Sequence, residues 1–222
     1  MMKLNFTYSD ELYHYGVKGM KWGVRKSHYY ASKNLRKAKK FNLHKWGKSE
    51  DSNVLYITGT SGSGKSTLAK GMAKKNDKVI HLDPLLENDR ANDKHNKEFR
   101  AYLSSKGIDY RKASDLSIPR KERWEVIDAI GEQIEPYGRE QYKKGSRVIV
   151  EGVQLGDETL FPDKSYFKNK PVIVTKSNYV MDTVRGGRRD GMNLMKIAGQ
   201  LTDRERMNWY KQIGDFSNEL RG

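Results

Sequence analysis

The sequence contains no cysteine, so no disulfide framework, thiolate zinc centre or catalytic thiol can be built from it. A reducing cytoplasm is the natural setting. No run of 18 apolar residues is present to cross a bilayer, and the opening MMKLNFTYSDELYHYG lacks the apolar core of a secretion signal. The expectation is a soluble protein with no membrane role, not exported by a cleaved signal. No internal repeat is found. Acids are scarce at one end: residues 1–50 hold 12 Lys/Arg against 3 acids, a net +9, whereas residues 51–222 hold 31 against 25, a net +6. A length of 222 residues suits one α/β domain with a core of its own and an extension. The basic character belongs mainly to the extension.

Residues 1–26 carry turn glycines at Gly16, Gly19 and Gly23 with aromatics between them and no sustained period, which reads as an irregular arm. SHYYASKNLRKAKKF, residues 27–41, predicts a basic helix, and the polar NLHKWGKSEDSN puts a domain boundary near 47–52. The division is therefore a basic arm and helix over 1–48 and a main domain over 49–222. In that domain NVLYIT, KVIHLD, RVIVEG and PVIVT read as short buried strands. Helical patterns separate them, clearest in IPRKERWEVIDAIGEQIEPYGREQYKK, and further helix follows from about 178, interrupted by the glycine-rich RGGRRDG at 185–191. Buried strands alternating with helices predict an α/β fold of three layers around a parallel sheet.

Between NVLYIT and STLAKGMAKK lies Gly59-Thr60-Ser61-Gly62-Ser63-Gly64-Lys65-Ser66, a full match to G-x-x-x-x-G-K-[ST] in its required strand–loop–helix setting. Such glycines let successive backbone N–H groups turn inward onto phosphate oxygens, and the helix that follows adds its positive end. The motif is expected to place a nucleoside triphosphate at residues 59–67, the alternative being a Gly/Ser-rich turn that binds nothing. Lys65 reaches the β- and γ-phosphates, Ser66 ligates Mg²⁺, and Thr67 adjoins them.

This segment resembles the P-loop NTPase superfamily over about residues 53–190. The compact loop, a second strand ending in Asp and a late arginine-rich segment resemble its small-molecule and nucleotide kinase branch, which includes adenylate and shikimate kinases, zeta toxins and polynucleotide 5′-hydroxyl kinases. Motor and switch ATPases are less similar, because no apolar strand ending in paired acids and no helicase motif set is present. The resemblance implies ATP with Mg²⁺ and roles for three further groups. Asp83, closing VIHLD at the sheet edge where ligands bind in open α/β folds, would orient the acceptor or act as base, although an Asp before Pro also serves as a helix cap. Glu151, ending RVIVEG, would support the metal or the substrate, or merely cap a loop. Arg185, Arg188 and Arg189 would form a short lid whose guanidinium forks steady the transferring phosphoryl group, or a solvated basic turn. The acceptor would lie under residues 85–145, with Arg90, Arg100, Arg111 and Arg123 as anion contacts or ordinary surface charge. Trp124 and His81 read as packed core residues.

In the arm, ELYHYGVKGMKWGVRK, residues 11–26, resembles a short segment that recurs in proteins from the structural-gene regions of tailed bacteriophages and prophages. That resemblance implies an address or assembly tag read by a phage structural protein, in the host cytoplasm or on the virion. The residues themselves leave three occupants open. Tyr13, Tyr15, Trp22, Tyr29 and Tyr30 among Lys18, Lys21, Arg25 and Lys26 suit nucleic acid, a protein groove or the domain itself. The expected function is a phage-encoded kinase that moves the γ-phosphate of ATP to a small molecule, nucleoside or nucleotide. The rivals are a polynucleotide 5′-hydroxyl kinase, a zeta-like nucleotide-sugar kinase, and a nucleotide-binding assembly protein without transfer.

Overall fold

The computed structural model describes residues 34–86, 96–156, 160–161, 163–175, 178–189 and 191–221. Among them, five strands make one sheet: β1 Lys39–Phe41, β2 Val54–Thr58, β3 Lys78–His81, β4 Val148–Glu151 and β5 Val172–Val174, in the order β1-β5-β2-β4-β3. The central four run parallel, and β1 is antiparallel to β5. VLYIT, VIVE and VIV are buried at every position, the signature of parallel strands covered on both faces.

The alternation of side chains splits these strands between two cores. Leu55, Ile57, Ile149 and Ile173 face helix α1, Lys65–Met72, and pack on its Leu68 and Ala69. Val54, Tyr56, Ile80, Val148, Val150, Val172 and Val174 face the other way. There they meet α2 Leu82–Leu86, α3 Lys97–Ser105, α4 Arg120–Glu132, α5 Ile134–Lys143 and Phe216 of the last helix. The pattern expected to be helical over 118–144 forms α4 and α5, broken at Gln133. Pro136 sits in the first turn of α5, where its missing N–H costs nothing.

Two segments differ from expectation. Residues 34–37 are helical, but Lys39–Phe41 leave the predicted basic helix and pair with β5 through Lys39↔Val174, Lys40↔Ile173 and Phe41↔Val172. Pairing with an open sheet edge outweighs helix propensity here, and the two lysines discourage further strand addition. The sheet thus takes in residues upstream of the boundary expected near 47–52, and residues 1–33 lie outside the described residues.

The second difference is the glycine-rich RGGRRDG. Helix α6, Tyr179–Arg189, runs straight through its first five residues, followed by α7 Leu194–Leu201 and α8 Arg204–Glu219. Gly187 is there for closeness: a Cβ on it would stand 2.5 Å from Cγ1 of Ile197 in α7. The chain breaks only around Gly191, at φ 70°.

Candidate nucleotide and metal site

The glycine-rich loop, residues 59–64, joins the end of β2 to α1 at the C-terminal edge of the parallel strands. Gly64, at φ 90°, turns directly into Lys65, so the first N–H groups of an eight-residue helix open onto the loop. Lys65 is buried and donates from Nζ to the Thr60 carbonyl at 3.1 Å, folded across the loop it belongs to.

Neighbouring segments hold the loop in shape. The Ser63 and Thr175 hydroxyls meet at 2.6 Å, and Thr175 donates to the Thr58 carbonyl at 3.1 Å. Thr60 Oγ1 donates to Asp182 Oδ2 of α6 at 2.8 Å, and the Asn178 N–H reaches the same oxygen at 2.9 Å. Gly62 combines φ 81° with close approach: a Cβ would stand 2.3 Å from the Asp182 carbonyl oxygen. The Tyr210 hydroxyl of α8 donates to the Ser61 carbonyl at 3.4 Å. On the other side, the Asn34 amide lies against Gly64, with Nδ2 2.5 Å from the position a Cβ would take.

Glu151 ends β4 between Ile57 and His81, its register partners on either side. All three occupy the side-chain parity that faces α1. The Ser66 hydroxyl donates to Glu151 Oε1 at 3.0 Å, and His81 Nδ1 bonds to that same oxygen. Burial pushes the Glu151 carboxyl up. The His81 bond and charge, the Lys65 ammonium and the Ser66 hydroxyl outweigh it and hold the group below the usual carboxylate range. An anionic carboxylate has only lone pairs, so the bond requires the proton on His81 Nδ1. The second oxygen, Oε2, is buried and accepts no hydrogen bond.

Among the described residues no group of three or more His, Cys, Asp or Glu side chains is placed to hold a metal ion. Mg²⁺ beside a nucleotide asks for less, since one carboxylate and a hydroxyl suffice when phosphates and water supply the rest. The Ser66 hydroxyl, the anionic Glu151 and its bare oxygen fit that donor set.

Lys65, Ser66 and Glu151 are therefore brought together, with Thr67 in the first turn of α1. Asp83 lies at the same edge, in the first turn of α2, where its Oδ1 is 3.5 Å from the Val153 N–H, too long for a strong bond. Arg185 is 61% exposed and stands 3.8 Å from Asp182 Oδ1, which links it to the loop through Thr60. Arg188 is exposed, and the Arg189 side chain and Arg90 lie outside the described residues. Arg111 pairs with exposed Asp109, and Arg100 lies over the Tyr110 ring at 5.4 Å. Trp124, expected in the core, is 37% exposed beside Arg120, because α4 packs through Val126, Ile127 and Ile130 instead. A cavity of about 330 Å³ bordered by Lys45, Lys48 and Lys170 opens at the opposite edge, before β2 and β5, and shares no residue with the loop.

Sequence reasoning missed His81, Asp182 and Thr175. For His81 a signal existed: KVIH and VIVE both end on an ionisable residue of the same parity. Asp182 and Thr175 carry no motif, and only the packing of α6 and the end of β5 against the loop brings them in.

DUF7211, a family of unknown function, matches residues 6–29, overlapping the segment at 11–26 and lying outside the described residues. No curated protein matches the chain.

Proposed function

We propose that the chain is an ATP-dependent kinase with a three-layer P-loop fold, transferring the γ-phosphate to a hydroxyl or phosphate of a small molecule, nucleoside or nucleotide. The observation that carries this reading is the conjunction at one sheet edge of a complete phosphate loop with the Ser66–Glu151 pair. The loop N–H groups and the N-terminus of α1 receive the triphosphate, and Lys65 exchanges its Thr60 carbonyl for β- and γ-phosphate oxygens. Ser66 and Glu151 hold the Mg²⁺, which when bound offsets phosphate charge.

Asp83 orients the acceptor from the same edge, accepting its proton or a hydrogen bond from it. Among Arg185, Arg188 and Arg189, those that swing from solvent onto the nucleotide steady the transferring group. Transfer from γ-labelled ATP to pooled nucleosides, nucleotides, nucleotide sugars and 5′-hydroxyl oligonucleotides, wild type against Lys65→Ala, tests the reading. One labelled pool that disappears in the variant supports it and names the acceptor class. Intact ATP binding with no labelled product in any pool contradicts it.

One observation favours a second reading, a nucleotide-binding assembly protein of a phage, carried from the host cytoplasm to the virion by its arm. Asn34, five residues past the matched segment, lies against Gly64 of the glycine-rich loop. Stoichiometric binding without turnover, and co-purification with capsid that requires residues 11–26, would favour it.

A further inference from the structure

We infer that His81 is a positioning residue for the metal, fixing the Glu151 carboxylate so that its second oxygen stays available to a divalent cation. The inference rests on the proposed nucleotide site and adds a residue that the motif does not contain.

Glu151 presents two oxygens with opposite surroundings. Oε1 takes both the Ser66 hydroxyl and His81 Nδ1, whereas Oε2 is buried with no hydrogen-bond partner. Two bonds to one oxygen hold that oxygen in place, since rotation about the last side-chain bond would carry it away from both partners. Leaving the other oxygen buried and bare costs free energy. A divalent cation is the partner that relieves that cost. A Ser66 hydroxyl that met the metal with a lone pair would keep its O–H for Oε1, so Ser66 and His81 together would hold that oxygen in the filled site.

The histidine is itself fixed. It is 5% exposed, it sits at the last position of β3 opposite Glu151, and its backbone is clasped by a buried side chain from beyond α2. Asn96 Oδ1 accepts the His81 N–H at 2.9 Å, and Asn96 Nδ2 donates to the His81 carbonyl at 2.8 Å. That pair mimics a neighbouring strand at the point where β3 ends, and it fixes the direction from which the imidazole approaches. A histidine serving only to fill space would not need the bond to a carboxylate beside the glycine-rich loop. The arrangement has the form of a ligand held by an outer partner, with the partner's own position set by the fold.

The test measures cation affinity, not turnover. In the full chain saturated with ADP, free Mn²⁺ is followed by electron paramagnetic resonance for wild type, His81→Phe and His81→Asn. His81→Phe should weaken Mn²⁺ by about 10- to 100-fold with little change in ADP affinity in EDTA, and His81→Asn, which offers an N–H near the position of Nδ1, should recover most of the loss. Equal Mn²⁺ affinity in wild type and His81→Phe overturns the inference, as does His81→Asn binding no better than His81→Phe. A second measurement needs no variant: in wild type, Mg²⁺ added to the ADP complex should move the His81 imidazole ¹⁵N resonances, and resonances that stay in place overturn the inference. A wild-type chain that binds no ADP overturns the nucleotide-site reading beneath it.

Discussion

Among the described residues two glutamates are buried against the sheet, Glu151 at 2% exposure and Glu135 at 9%, and each has an Oε2 without a hydrogen-bond partner. Burial and a bare oxygen therefore do not distinguish them. Their company does. Glu135 Oε1 accepts the Tyr56 hydroxyl at 2.7 Å, the Tyr166 hydroxyl at 3.0 Å and Lys170 Nζ at 3.0 Å. Around that knot Phe161 stacks on Tyr166 at 4.4 Å and Phe167 meets Tyr56 edge-on at 5.1 Å. Its charge is offset by a lysine, and its setting is a packed aromatic core. Glu151 lies on the other face, at a strand end beside the N-terminus of α1, with Ser66 and Lys65 for neighbours. A buried carboxylate signals chemistry when the fold points it at a place where a ligand's charge can enter.

Four substitutions probe the difference between the two faces. Lys65→Ala should reduce nucleotide-dependent activity by about 10²- to 10³-fold with the melting temperature unchanged, read by phosphate transfer beside calorimetry. Glu135→Ala should do the reverse, costing about 2–4 kcal/mol of stability in urea unfolding by stranding two phenols and a lysine while nucleotide affinity holds. If Glu135→Ala also lowers nucleotide affinity in the folded protein, the separation between the two faces fails. Glu151→Gln keeps shape and removes charge, and titration with Mg²⁺ should show cation affinity down by at least about 10- to 100-fold.

The smallest effect concerns alkaline pH. Burial raises the Tyr56 hydroxyl well above its ordinary value of 10.0, and Tyr166 moves the same way for the same reason. With folded values above the unfolded one, the stability these phenols contribute is complete below about pH 10 and declines as pH rises past it. Tyr56→Phe should therefore lose less stability than wild type between about pH 9 and 11, measured as urea midpoints. A parallel decline in both proteins would remove the phenol from the account.

The centre of this molecule was legible because its signals are local. VLYIT and VIVE are short runs rich in strand-forming residues, and the eight residues from Gly59 to Ser66 carry their own geometric requirement. What was hidden depends on partners far along the chain. Lys39–Phe41 became a strand only because β5 offers an edge 131 to 135 positions later, as the register Lys39↔Val174 to Phe41↔Val172 records. The glycines at 186 and 187 looked like a hinge, and α7 crossing at Ile197 turned Gly187 into a packing residue. Asp182 has no motif to announce it, and its role at Thr60 follows from how α6 lies on the loop.

Nucleotide binding at the glycine-rich loop is read by calorimetric titration of the full chain with a non-hydrolysable ATP analogue in Mg²⁺, comparing wild type, Lys65→Ala and Tyr56→Phe. One site per chain is expected, lost in Lys65→Ala and intact in Tyr56→Phe. Binding that survives Lys65→Ala unchanged, or that is absent from the wild type, would contradict it.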